Sequence, residues 1–147
     1  MKLKYTLIDY LFRNRTKIAR AFYHVMFYWL PVKKNKIVFQ AHLGAGYGCN
    51  PKYITEEIIR QNLDYELVWL VRTEVFDTSN FPKQVRIVDY NNVFRSLLEL
   101  ATSRMWISNI RFNKFFKKGL IKKRNQIYIN TWHGSLGIKK LDWMLKY

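Results

Sequence analysis

The run Thr131-Trp-His-Gly-Ser-Leu-Gly-Ile-Lys-Lys140 gathers the residues of this 147-residue chain best suited to chemistry. His133 carries an imidazole able to act as a general base near neutral pH. Beside it Gly134 permits a tight turn, Ser135 is a natural N-cap for a following helix, and Lys139 and Lys140 add positive potential. A histidine that merely packs fits the same residues. The second candidate is Gly44-Ala-Gly46-Tyr-Gly48, which leads into Asn50-Pro51. It lacks the third glycine of a dinucleotide fingerprint, and Val71-Arg72 stands where that fingerprint needs an acid, so no dinucleotide cofactor is expected. Glycines still let a backbone approach a ligand, and the start of a following helix offers free N–H groups to an anion; a plain glycine-rich turn is the alternative. A third polar run is Ser108-Asn109-Ile-Arg111. The single cysteine, Cys49, excludes an internal disulfide framework and a cysteine-based zinc cluster, and no metal site or cofactor is expected.

These runs need a scaffold that brings them together. Residues 36–40, 66–71, 85–89, 105–109 and 126–131 are short, apolar and rich in β-branched or aromatic side chains, and read as strands. Residues 51–61 read as a helix with Asn50 as N-cap and Pro51 at its first position, and residues 93–104 as another. No helix is expected between the second and third strands. Strands apolar throughout and separated by helices imply an α/β fold, a Rossmann-like parallel sheet with helices on both faces. In such sheets ligands bind beyond the carboxyl ends of the strands, where all three polar runs fall.

Charge is unevenly spread. Residues 1–36 hold nine basic residues against Asp9 alone, residues 37–110 seven against eight acids, and residues 111–124 seven against none. Two basic elements thus flank a nearly neutral body, a pattern that points to a polyanionic partner. From Tyr5 to Trp29 apolar residues recur at helical spacing, with Arg13, Arg15, Lys17 and Arg20 at the middle, Trp29 at the end, and Lys33 and Lys34 beyond Pro31. The apolar run 21–32 is too short to span a bilayer, and no small-residue cleavage site follows it, which argues against a signal peptide. So many large apolar residues are wasteful in a nucleic-acid arm, and no nucleic acid is expected as partner. Two readings stay open: a helix packed on the domain with solvated cations, and an amphipathic helix lying on an anionic membrane surface. The expected division is a basic helical segment over residues 1–33 and a Rossmann-like domain over 34–147. In residues 111–124, phenylalanines interleave with cations, and the expectation is a second amphipathic element laid against lipid or polymer, with a solvated basic loop that packs a few rings as the alternative.

Lys-Ile-Val-Phe-Gln at 36–40, the glycine loop into Asn50-Pro51, Trp69, Ile107-Ser-Asn109 and above all the 131–140 block together resemble the CDP-glycerol glycerophosphotransferase family of teichoic acid synthesis. The resemblance implies a peripheral enzyme at the cytoplasmic side of the cell membrane. Its fold would be the N-terminal, acceptor-side half of a two-domain GT-B architecture. The implied reaction moves glycerol phosphate, or ribitol phosphate in relatives, from a CDP-alditol donor to a lipid-linked polyol-phosphate acceptor and releases CMP, with His133 as base. The resemblance further implies that the donor-binding second domain has no counterpart here, which leaves open a truncated product, a fragment, or half of a split enzyme whose second polypeptide supplies that domain. Gly44, Gly46, Gly48, Asn50, Asn109, Arg111, Gly134, Ser135, Lys139 and Lys140 are the expected substrate contacts. The alternative is a non-catalytic, basic membrane- or polyanion-binding module that keeps the fold.

Overall fold

The computed structural model describes residues 14–132. Five strands, β1 (Lys33–Gln40), β2 (Glu66–Val71), β3 (Val85–Asp89), β4 (Ser103–Ser108) and β5 (Ile127–Asn130), form one sheet in the order β3-β2-β1-β4-β5. Every pairing is parallel. The central strands are apolar at successive positions because both faces are covered, and neighbouring side chains enter opposite cores. Val38, Val68, Leu70 and Trp106 belong to one core, Ile37, Phe39, Leu67, Trp69 and Ile107 to the other.

The second core is closed by α2 (Cys49–Arg60) through Ile54, Ile58 and Ile59, and the first by α3 (Val93–Thr102) through Leu97 and Leu100. Each of the two buried indoles finds a partner for its N–H: Trp69 donates to Thr55 Oγ1 at 3.1 Å and Trp106 to the Leu100 carbonyl at 2.8 Å. The helix α3 runs directly into β4, so it ends two residues earlier than its apolar spacing suggests. No helix separates β2 from β3, as expected.

At the amino edge of the sheet an ionic cluster built on the buried Lys36 and Glu99 ties the layers. Lys36 Nζ, in β1, meets Glu99 of α3 and donates to Thr102 Oγ1 at 2.9 Å, and Arg86 of β3 forks onto both oxygens of Glu99 at 2.7 and 2.9 Å. Burial alone would raise the Glu99 carboxyl, but the hydrogen bonds from Arg86 and Lys36 hold it below its usual range.

The N-terminal helix α1 covers residues 14–23 and widens into a π-helical turn over His24–Tyr28. It lies on the first core: Tyr23 and Phe27 are fully buried, and the Phe27 ring sits 5.1 Å from that of Phe94. Its other side stays in solvent, with Ile18, Phe22, Val25 (74% exposed), Met26 and Trp29 (75%) outward beside exposed Arg15, Lys17 and Arg20. Of the other segment cations, Lys33 is the first residue of β1 and pairs with Glu66 at 3.1 Å, Lys34 is exposed, and Arg13 lies outside the described residues.

The expectation for residues 111–124 is overturned. Phe112, Phe115 and Leu120 are buried in the first core and Phe116 and Ile121 lean on it, so the rings of this segment are structural and unavailable to lipid. A short helix α4 (Asn113–Lys117) carries them there. Three of the cations are also used internally: Lys114 Nζ donates to the Tyr90 carbonyl at 3.1 Å, Lys122 Nζ to the Gln126 carbonyl at 2.9 Å, and the buried Lys123 Nζ to the Leu30 carbonyl at 2.6 Å. Gly119 follows α4 at φ +95°, and an added Cβ would lie 2.1 Å from the Ala19 carbonyl oxygen, so the loop and α1 touch backbone to backbone.

Candidate functional site

The strand order reverses direction between β1 and β4, since β1 connects outward to β2 while β3 crosses back to β4. Ligands of open α/β sheets bind in the crevice at that point, outside the carboxyl ends. Three loops converge there: 41–48 after β1, 109–112 after β4, and 131–132 after β5. Five described non-glycine residues have positive φ, and four of them lie in these loops or at their junction with α2: His42 (+44°), Leu43 (+58°), Cys49 (+58°) and Trp132 (+59°). Left-handed backbone in side-chain-bearing residues is costly and concentrates where geometry serves a ligand.

Two asparagines lace the loops. Asn109, fully buried, accepts the backbone N–H of His42 on Oδ1 at 2.9 Å, and its Nδ2 faces His42 Nε2 at 3.0 Å. The first contact fixes the amide orientation, because a backbone N–H can only donate. The second then fixes the ring, because an amide NH₂ can only donate, so Nε2 is the acceptor and the imidazole proton rests on Nδ1. Asn50 Nδ2 donates to the carbonyls of both Thr131 and Trp132, each at 3.2 Å, and so holds the end of β5 against the start of α2. The β5 end is also pinned to β4 by the Thr131 N–H on the Ser108 carbonyl at 2.8 Å, and the Trp132 N–H closes on Asn130 Oδ1 at 3.1 Å.

Asn50 is therefore a latch and not the N-cap of α2. The cap position belongs to Gly48, whose backbone is extended (φ −167°), and the helix starts at Cys49 with Pro51 two residues inside. Gly44 is buried at φ +83°, where a Cβ would come within 2.9 Å of Tyr90 Cγ; Gly46 is buried at φ +99°; Gly48 faces open space. Arg111 is exposed beyond β4. His133, Gly134, Ser135, Lys139 and Lys140 lie outside the described residues, and the last two described residues before them are those that Asn50 holds. The sequence reading missed His42, whose only signal was its position directly after a buried strand.

Order, crossover and laced loops define a Rossmann-type α/β domain whose ligand edge is assembled from three loops at the switch point. The chain belongs to the family described as CDP-Glycerol:Poly(glycerophosphate) glycerophosphotransferase, which matches residues 22–144. It is 32% identical over 119 residues to the teichoic acid poly(glycerol phosphate) polymerase of Bacillus spizizenii, covering 76% of this chain and 27% of that protein. The Bacillus subtilis polymerase is 26% identical over 129 residues, covering 84% and 16%. A solved structure of the wall teichoic acid polymerase TagF, in a variant soaked with CDPG, superposes with a TM-score of 0.65 at 28% identity, covering 90% of this chain and 32% of that one. The chain thus spans about a quarter of the length of the first of these curated relatives.

Proposed function

We propose that this chain supplies the acceptor side of an alditol-phosphate transfer to a lipid-linked polyol-phosphate polymer. In that reaction an acceptor hydroxyl oxygen attacks the β-phosphorus of a CDP-alditol, the P–O bond to CMP breaks, and CMP departs with the bonding electrons. His133 takes the hydroxyl proton, and the cations and backbone N–H groups at the strand ends offset the phosphoryl charge. The CDP-alditol is held mainly by a GT-B partner domain, of the kind the longer relatives have room for, in the same or a second polypeptide. The exposed face of α1, with its cations and rings, holds the assembly on the anionic cytoplasmic surface of the cell membrane.

The observation that supports this reading most is the Asn50 latch. It fixes the two carbonyls directly before His133 over the crevice where a parallel sheet binds its ligand. The test is CMP release from CDP-glycerol with a lipid-linked acceptor, the chain being complemented by a donor-binding domain of a relative. His133→Ala is expected to lower turnover by about 10²–10⁴, the loss typical of a general base. Turnover unchanged by that substitution would assign the histidine to packing and leave the chain a binding module.

A further inference from the structure

A half-buried cation at the carboxyl edge has no hydrogen-bond acceptor for its side chain among the described residues. Arg72 is the residue directly after β2, half-buried, with its guanidinium stacked 5.0 Å above the Phe76 ring. Its backbone is fully engaged: the N–H donates to the Gly44 carbonyl at 2.9 Å, and its carbonyl accepts from Val75 and Phe76, each at 3.1 Å. Its side chain forms no ion pair and no hydrogen bond among the described residues, and Nε is buried without a partner. This differs from Arg86 and Arg60, which both fork onto carboxylates. A buried guanidinium nitrogen without an acceptor carries a desolvation cost that an incoming oxyanion would remove.

The walls around it are built for close approach. The stem of Arg72 lies beside the left-handed glycine turn, where a Cβ on Gly44 would stand 3.3 Å from Arg72 Cγ and 2.9 Å from Tyr90 Cγ. Gly46, the next glycine, borders Phe76. A second cation stands near: Lys114 Nζ is fixed 4.1 Å from the centroid of Tyr90 and bonded to the Tyr90 carbonyl and Asn91 Oδ1. Two of the three Lys114 donors are committed to these acceptors, so it contributes mainly field and leaves the planar fork to Arg72. Stacking on a ring pre-orders the planar fork, which matches two oxygens of a phosphate.

We propose that Arg72, backed by Lys114 and set against the Gly44 turn, is a phosphate subsite at the shoulder of the crevice and takes one phosphate ester of a ligand bound there. This rests on the reading that the edge handles a phosphate-bearing ligand, and it adds which residue grips the phosphate. The ester belongs either to the polymer acceptor or to the nucleotide donor, and the chemistry of recognition is the same.

Isothermal titration of the full chain with a short poly(glycerol phosphate), with CDP-glycerol and with inorganic phosphate reads this subsite without turnover, and so separately from the His133 experiment. The expected result is binding of one ester that Arg72→Gln weakens about tenfold or more, the loss of one charge-assisted fork. The ester so affected identifies the source. A measurement on the unaltered chain guards against a misfolded variant: phenylglyoxal labels exposed guanidinium groups, and the bound ester should protect Arg72 from it, read by peptide mass. Equal labelling of Arg72 with and without saturating ester overturns the proposal, as does wild-type affinity of a folded Arg72→Gln for all three probes. So does the failure of all three to bind the wild-type chain.

Discussion

Asn50 and Asn109 perform the same task by different routes: each uses a short planar amide to tie a loop to a neighbour that sequence places far away. An asparagine amide has both donors and an acceptor, so one side chain can hold two partners at a fixed angle. Asn50→Ala removes two hydrogen bonds at an exposed position, and should cost only about 0.5–1.5 kcal/mol of stability. Its effect on chemistry should be larger, because a displacement of about 1 Å at a reacting group costs up to about 10²-fold. The expected outcome is a near-wild-type denaturation midpoint with turnover lowered at least tenfold in the complemented transfer assay. Full turnover in that variant would show that the β5 loop keeps its position without the latch. Asn50 itself stood out in the sequence, but its task did not: Asn-Pro before a helical run has the form of a cap, and only the partner carbonyls of Thr131 and Trp132 reveal a tether. His42 was hidden for a similar reason, since its significance depends on Asn109, which lies 67 residues away.

Elements were legible where a local pattern was bounded by turn signals. Strands β2 and β3 fall where their apolar runs begin and end. The α3–β4 junction has no breaker between Thr102 and Ser103, so periodicity ran on past the true end. Residues 111–124 misled because rings alternating with cations look amphipathic toward lipid, while the same alternation serves a segment that folds its rings down onto a core. That segment and α1 are joined at Gly119. A side chain there meets the Ala19 carbonyl at 2.1 Å, and the φ of +95° is itself unfavourable for any other residue. Gly119→Ala is therefore expected to lift α1 from the domain, at about 2 kcal/mol or more for left-handed strain and steric overlap together. Amide hydrogen exchange should report it: protection lost across residues 19–28 and retained in β1 and β2. Unchanged protection in α1 would mean that Tyr23 and Phe27 anchor the helix without this contact.

Across the whole molecule the excess of 26 basic over 10 acidic residues is not a uniform coat. Lys36 is consumed by the ionic cluster, Lys123 and Lys114 by carbonyls, and Lys33 by Glu66. Arg15, Lys17 and Arg20 are exposed on α1, with Lys34 beyond it, beside the exposed rings of Phe22 and Trp29. No helix among the described residues is long and apolar enough to cross a membrane. Tyr23 and Phe27 are buried inward, which fits the packed reading of this segment, and the outward rings and cations are the side on which the proposed membrane contact would rest. Each cation near an anionic bilayer contributes about 1 kcal/mol, screened within a Debye length of about 10 Å at 0.1 M salt. Neutralising three of them as Arg15→Gln, Lys17→Gln and Arg20→Gln should therefore weaken binding to phosphatidylglycerol vesicles by about two orders of magnitude at low salt. Phe22→Ser with Trp29→Ser should instead leave binding present but abolished by moderate salt, because the apolar part of the contact is gone while the charge remains. All five positions are outside the core, so the thermal midpoint should hold in both variants. Co-sedimentation across a salt series separates the two contributions, and equal sedimentation of all three proteins would return the outer face of α1 to solvent.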